Sequence, residues 1–214
     1  CRLAISAKGG TNAENHNHND VGSYAVALGS ETMVGDQGGP NSYPGDYFNG
    51  DAPQKYKIKG SFGHPVPVVD GRTQSSGGKA KGVVLQKEFT NEKDVFSINY
   101  TSAYSTPNLD KLIRTFVYDR QGKGSFTVGD EFTAKTPIRF ETAITTRADW
   151  KILDDTHLLL ATDSEQMIVA IEASGKVAFT SETIEVNSPA YTRIGIALKN
   201  QSKEGYIRLK MYTK

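Results

Sequence analysis

Two of the four histidines in this 214-residue chain stand one residue apart, in Asn15-His16-Asn17-His18-Asn19-Asp20. Imidazole binds metals and exchanges protons near neutral pH. In extended chain, residues i and i+2 share a face, so His16 and His18 are expected to project side by side. Two further groups fall at strand ends or loop entries, Asp36 and His64. Two imidazoles and one carboxylate, here His18, Asp36 and His64, can hold a divalent ion. Zinc is the commonest match, and a fourth position stays open for water or substrate. The plain alternatives are a turn residue for Asp36, before Gly38-Gly39, and a ring packed beside Phe62 and Pro65 for His64. His157 lies between two apolar runs and reads as structural.

Phenols are the other groups able to move protons. The Gly-, Pro-, Asn- and Asp-rich stretch from Gln37 to Pro53 carries Tyr43, Tyr47 and Phe48, with Tyr56 just beyond. A loop of this length in a compact domain is usually functional or disordered. Embedded tyrosines favour function, although Tyr47 beside Phe48 has a packing role as its simpler reading.

These residues need a scaffold, and the chain supplies strands. Val21 to Leu28 alternates, with Tyr24, Val26 and Leu28 on one face; Phe96, Ile98 and Tyr100 repeat the pattern, as do Ile194, Ile196 and Leu198. Turn signals such as Arg120-Gln-Gly-Lys-Gly124 and Ala173-Ser-Gly175 recur at short intervals. Many short alternating strands of this kind predict an all-β, antiparallel β-sandwich of two stacked sheets with almost no helix. Only Asn108 to Ile113 is expected to hold a helical turn. Tyr56 to Gly60 reads as extended and Thr73 to Lys81 as loop. No composition break divides residues 1–214, which predicts one domain. Its chemistry lies in roughly the first seventy residues, along one edge or end.

A formal charge of +1 gives no reason to expect nucleic acid or a membrane surface as partner. No run of apolar residues is long enough for a membrane helix, and no signal peptide is visible. Cys1 is the single cysteine, so no intrachain disulfide can form. Strand-like sequence follows it at once, which favours a cut inside a longer chain over a lipidated terminus.

Gly9-Gly10 followed by Glu14-Asn-His-Asn-His-Asn-Asp-Val-Gly-Ser-Tyr24 resembles the signature of the heparinase II/III-like domain of polysaccharide lyases. Val34-Gly-Asp36, Tyr43-Pro-Gly-Asp-Tyr-Phe48, Lys55-Tyr56 and Ser61-Phe-Gly-His-Pro-Val-Pro-Val-Val69 extend the likeness in the same order. The resemblance implies a β-sandwich that follows an (α/α) toroid in a longer chain. It places His18, Asp36 and His64 on metal ligands, with zinc the usual ion, and the interval 36 − 18 = 18 agrees with the family pattern. It places His16 in the substrate cleft and Tyr56 on a tyrosine that contributes to catalysis in the alginate-lyase branch, with Tyr43 as a second catalytic candidate. The implied reaction is β-elimination on an acidic, uronic-acid-containing polysaccharide of the heparin/heparan or alginate kind, by a bacterial periplasmic or secreted enzyme. Much of the cleft would come from the toroid, so little or no activity is expected of these residues alone.

Two other readings are open. A non-catalytic carbohydrate-binding sandwich would present Tyr43, Tyr47 and Trp150 as one exposed platform. A cupin-like metalloenzyme would need a glutamate shortly after the histidine pair, where Gly22 and Ser23 stand.

Overall fold

The computed structural model describes residues 2–186 and 188–214; Cys1, and with it the expected chain cut, lies outside them. Strands dominate. In chain order they are β1 Leu3–Ala7, β2 Thr11–Asn12, β3 Tyr24–Leu28, β4 Glu31–Val34, β5 Val68–Val69, β6 Gly77–Lys81, β7 Val83–Phe89, β8 Lys93–Asn99 and β9 Leu109–Asp119. There follow β10 Ser125–Ile138, β11 Phe140–Thr146, β12 Asp149–Asp154, β13 His157–Ala161, β14 Gln166–Ala173, β15 Val177–Val186, β16 Ser188–Leu198 and β17 Ser202–Thr213.

One layer is an eight-stranded sheet in the order β12-β13-β14-β17-β10-β9-β8-β7. The other is composite. Four strands run β15-β16-β11-β5, and a three-stranded sheet β1-β3-β4 abuts the same layer. The seam between them is made by Gly35 N donating to Thr145 O at 3.0 Å, Thr145 Oγ1 to Gly35 O at 2.6 Å and Thr146 Oγ1 to Met33 O at 2.6 Å. Every strand pairing is antiparallel, as an all-β sandwich requires. The layers close on one apolar core, with Phe116, Phe126, Val128, Phe132 and Leu209 on one side and Val26, Leu28, Phe140, Ile144 and Ile194 on the other. Phe132 of β10 stacks on Phe140 of β11 with centroids 4.6 Å apart.

The alternation along β9 and β10 puts Leu112, Arg114 and Phe116 opposite Phe132, Asp130 and Val128, all facing inward. Arg114 and Asp130 are therefore a fully buried cross-strand pair. All five guanidinium donors are used. Nε and Nη2 reach Asp130 at 2.8 and 2.6 Å, Nη2 also reaches Thr142 Oγ1, and Nη1 donates to Gly22 O and Pro65 O, both at 2.7 Å. Tyr100 OH and Thr142 Oγ1 satisfy the remaining carboxylate lone pairs at 2.6 and 2.7 Å. Burial works most strongly against the Arg114 charge, but Asp130, together with Tyr100 and Tyr24, more than offsets it, and the guanidinium is held firmly protonated.

Several local expectations need correction. Asn108 to Ile113 is not helical: Leu109 already pairs in β9, because its register with β10 buries Leu109 and Leu112. The helical turns stand elsewhere, in α1 (Ala52–Lys55) and in single 3-10 turns at Ser61–Gly63 and Thr101–Ala103. Pro53 lies in the first turn of α1, where its missing N–H costs nothing. Tyr56 to Gly60 is turned rather than extended, with Lys59 N and Gly60 N both donating to Tyr56 O. Part of the expected loop Thr73 to Lys81 is strand β6, which pairs with β2. The strand expected from Val21 begins at Tyr24, though Tyr24, Val26 and Leu28 share a buried face as the alternation implied.

Candidate functional site

His16 and His18 do not project side by side. His16 has φ 56°, a left-handed turn conformation, and neither histidine lies in a strand. A stretch of Asn and Asp tolerates that conformation, and here it overrides the two-residue period. The rings go separate ways. His16 packs on Phe48 with centroids 4.7 Å apart, and His18 packs on His64 at 5.1 Å.

The loop carrying His18 is held from several sides. Asn19 N donates to Lys59 O at 2.9 Å, and Asn19 Nδ2 donates to Ser76 Oγ at 3.0 Å. Asp20 receives Ser23 Oγ and Lys8 Nζ. Gln74, buried, exchanges two hydrogen bonds with the backbone of Val21. His64 follows the 3-10 turn, fully buried, and Tyr191 OH fixes the preceding Gly63 carbonyl at 2.9 Å. Arg114 Nη1 grips the carbonyls of Gly22 and Pro65, so one buried guanidinium ties both histidine segments to the large sheet.

Asp36 closes the group from the end of β4. Gly35 before it has φ 150°, and a Cβ there would stand 2.6 Å from Ala25 Cβ, so glycine is required. Gln37 after it donates to Gly35 O and Thr145 O. Asp36 Oδ1 caps Gly38 N at 2.9 Å, while the residue itself is exposed.

One ligand atom from each of His18, Asp36 and His64 lies within 4.8 Å of the other two. His18 Nδ1 and His64 Nε2 are 3.1 Å apart. Such a gap suits two nitrogens sharing one tetrahedral ion at about 2.0–2.1 Å each. Burial, and next the neighbouring His64, pull His18 down to about 4. The ring is thus neutral at pH 7, the form that can ligate. The donor set of two imidazoles and one open carboxylate fits a divalent ion of the zinc type. His64 Nδ1 is buried without a partner among the described residues, so no hydrogen bond orients that ring from behind.

Beside this group lies a cleft of about 530 Å³, lined by His16, Asn12, Asn17, Phe48, Asn49 and Lys59 among others. Tyr43, 56% exposed, packs on Phe48 and Tyr47 at its rim, centroids 5.2 and 5.0 Å away. Tyr47 is buried, and its hydroxyl has no partner among the described residues. Tyr56 stands on the far side of Tyr47, 5.4 Å away. It lines a different depression with Lys55, Lys57 and Glu182. Its hydroxyl donates to Asp46 Oδ1 at 2.5 Å, and that bond raises its pKa. The structure thus brings together His18, Asp36 and His64, and separately sets His16 and Tyr43 each against Phe48, while the Tyr56 hydroxyl is engaged with Asp46. Lys59 was not foreseen from sequence, since a lone lysine in a turn carries no signal. His157, partly exposed, bonds Asp154 and Thr156 at a turn.

No family model matches the sequence, and no curated protein matches it. Solved structures do match in three dimensions. The heparan sulfate lyase HepC from Pedobacter heparinus superimposes with TM-score 0.77 over 99% of this chain, at 13% identity. This chain shares the fold of that part of the lyase. A heparinase III gene product gives 0.74 over 98% at 13% identity, and a second heparinase III gives 0.71 over 95% at 18%. This chain spans only about a third of each, 33%, 32% and 31% respectively. The shared fold agrees with the sandwich expected from the strand pattern. At such identities the likeness speaks for the fold alone.

Proposed function

We propose that this chain is the metal-binding sandwich domain of a polysaccharide lyase that acts by β-elimination on a uronic-acid-containing polysaccharide. The observation that carries the reading is the convergence of His18, Asp36 and His64, from three separate segments, beside the cleft that holds His16. The fold shared with heparan sulfate lyases supports it. The rival readings lose ground. Tyr47 is 2% exposed and Trp150 packs against the main core, so no platform of Tyr43, Tyr47 and Trp150 exists. Among the described residues no glutamate joins the histidines, as a cupin would need.

His18, Asp36 and His64 would hold zinc, which binds three chain segments into one rigid wall when present. The chain's own residues carry the rest of the proposal. In β-elimination a base takes the C5 proton of the uronic acid, a C4–C5 double bond forms, and the O4 substituent leaves with a proton. The C5 proton becomes acidic enough only when the neighbouring carboxylate is neutralised. His16 faces the cleft and is suited to that task. A phenol moves the protons. Tyr43 stands on the His16 side, whereas Tyr56 would first have to leave Asp46. Its raised pKa keeps Tyr56 protonated, which suits an acid better than a base. The remaining cleft groups would come from a toroid domain of the same protein.

Two predictions test this. Wild-type protein should carry one divalent ion per chain by elemental analysis, and His18→Ala should carry none. Chelation should lower the melting temperature of the wild type and leave that of His18→Ala unchanged. The ion should also be lost in acid, because protons compete for imidazole. Unaltered metal content in His18→Ala would remove the assignment. In the toroid-containing protein, Tyr43→Phe should cut formation of unsaturated product by about a hundredfold or more, the usual size of a lost acid–base group. If Tyr56→Phe gives that loss and Tyr43→Phe does not, the acid–base role passes to Tyr56.

A further inference from the structure

Lys59 is the unusual residue of the cleft. It is 3% exposed, yet no carboxylate lies within ion-pair distance among the described residues. Its Nζ makes one hydrogen bond, to Tyr47 O at 2.8 Å. An ammonium has three donors, so two are unspent among the described residues. The group sits over the rings of Tyr47 and Phe48, 4.8 and 5.4 Å from their centroids. That contact offsets only part of the cost of burying a charge. Other buried cations of this chain are treated differently: Arg114 has Asp130, and Arg193 has Glu141.

The surroundings suit an acidic sugar. Lys59 shares the cleft wall with His16 and the amides of Asn17 and Asn49. Amides match sugar hydroxyls as both donors and acceptors, and Asn17 Oδ1 has no partner among the described residues. Glu14 is the one carboxylate in the wall, and it is turned toward Thr11 N at 3.0 Å and Lys8 at 3.6 Å. Phe48 offers an apolar face beside His16 for the flat side of a sugar ring.

We infer that Lys59 is a substrate-binding residue whose ammonium takes the anionic group, carboxylate or sulfate, of a sugar lying in this cleft. This rests on the polysaccharide reading above and adds the anion-recognising residue to it. Burial lowers the Lys59 pKa, and an anion seated beside it would raise it again.

The test is calorimetric titration of the chain with three oligosaccharides of equal length: an unsulfated uronate, a sulfated but uronate-free sugar, and a neutral sugar. Lys59→Met keeps the apolar stem and removes the charge. The wild type should bind one or both acidic probes and not the neutral one. Lys59→Met should weaken that binding by about tenfold or more, the size of a charge-assisted hydrogen bond. Which acidic probe binds identifies the anion. In unmutated protein, the bound acidic probe should protect Lys59 from reductive methylation, read by mass spectrometry, so the inference is testable even if the variant does not fold. Tight acidic binding with Lys59→Met unaffected, or Lys59 unprotected, overturns the role of Lys59 and leaves the polysaccharide reading standing. Equal binding of the neutral probe overturns anion recognition. No binding of any probe overturns anion recognition by this wall, and the polysaccharide reading is then decided by the activity of the toroid-containing protein.

Discussion

Asp130→Ala is expected to lower the unfolding free energy by about 3–5 kcal/mol, the cost of stranding one partner of a buried ion pair. Arg114 would remain fully buried with three donors engaged, on Gly22, Pro65 and Thr142, and its charge uncompensated. Tyr100 OH and Thr142 Oγ1 would lose their acceptor as well. Urea unfolding followed by tryptophan fluorescence or circular dichroism measures the loss. Replacing the pair together, with Arg114→Met and Asp130→Leu, should recover much of it, because neither charge of the pair is then left stranded. The double variant also separates stability from the site. Gly22 and Pro65 would still lack their donor, so the segments bearing His18 and His64 should be looser and metal binding weaker even where folding is restored. A single Asp130→Ala variant as stable as the wild type would show that the pair is not the keystone of the sandwich.

The second large effect concerns what this chain does alone. It is expected to fold, bind metal and show little or no elimination activity, whereas the protein that also contains a toroid should cleave an acidic polysaccharide. A lyase needs carboxylate-neutralising and proton-moving groups on opposing sides of one sugar. Holding such groups in register accounts for about 7–11 kcal/mol of barrier in favourable cases. The described residues supply one wall: His16, Tyr43 and Lys59 line or rim a cleft of about 530 Å³ that opens to solvent. Assays of the two proteins at matched concentration, following the absorbance of the unsaturated product, make the comparison. Robust elimination by these 214 residues alone would mean that the whole catalytic set lies within them.

Much of the scaffold was legible because burial on one face imposes a period of two. Tyr24, Val26 and Leu28 declared β3 that way. The same period carries a further clue: Arg114 falls between Leu112 and Phe116, and Asp130 between Val128 and Phe132, so both charges stand at inward positions. An inward Arg on one strand and an inward Asp on another invite pairing, but only the register of β9 with β10 makes them face each other. β12 gave no such clue. It is exposed on nearly every residue and is held by backbone pairing with β13. The histidine pair misled because its spacing carries meaning only in extended chain, and the asparagines around it favour turns. The grouping of His18 with Asp36 and His64 is invisible in their long separation. It was suggested by resemblance, and its geometry depends on Arg114, Gln74 and Tyr191, which lie far off in the chain.

The seam between β4 and β11 has a consequence for motion. A two-part layer can open at its join without the core unfolding, and such partial openings cost far less than global unfolding. Here the join is a handful of hydrogen bonds around Thr145, Thr146 and Gln37. Asp36 sits on that join, whereas His18 and His64 are fastened through Arg114 to the opposite layer. An opening at the seam would release the carboxylate while both imidazoles stayed in place. In the proposed metal site, loosening at the seam would thus act first on Asp36, and exchange of a bound ion would follow that loosening.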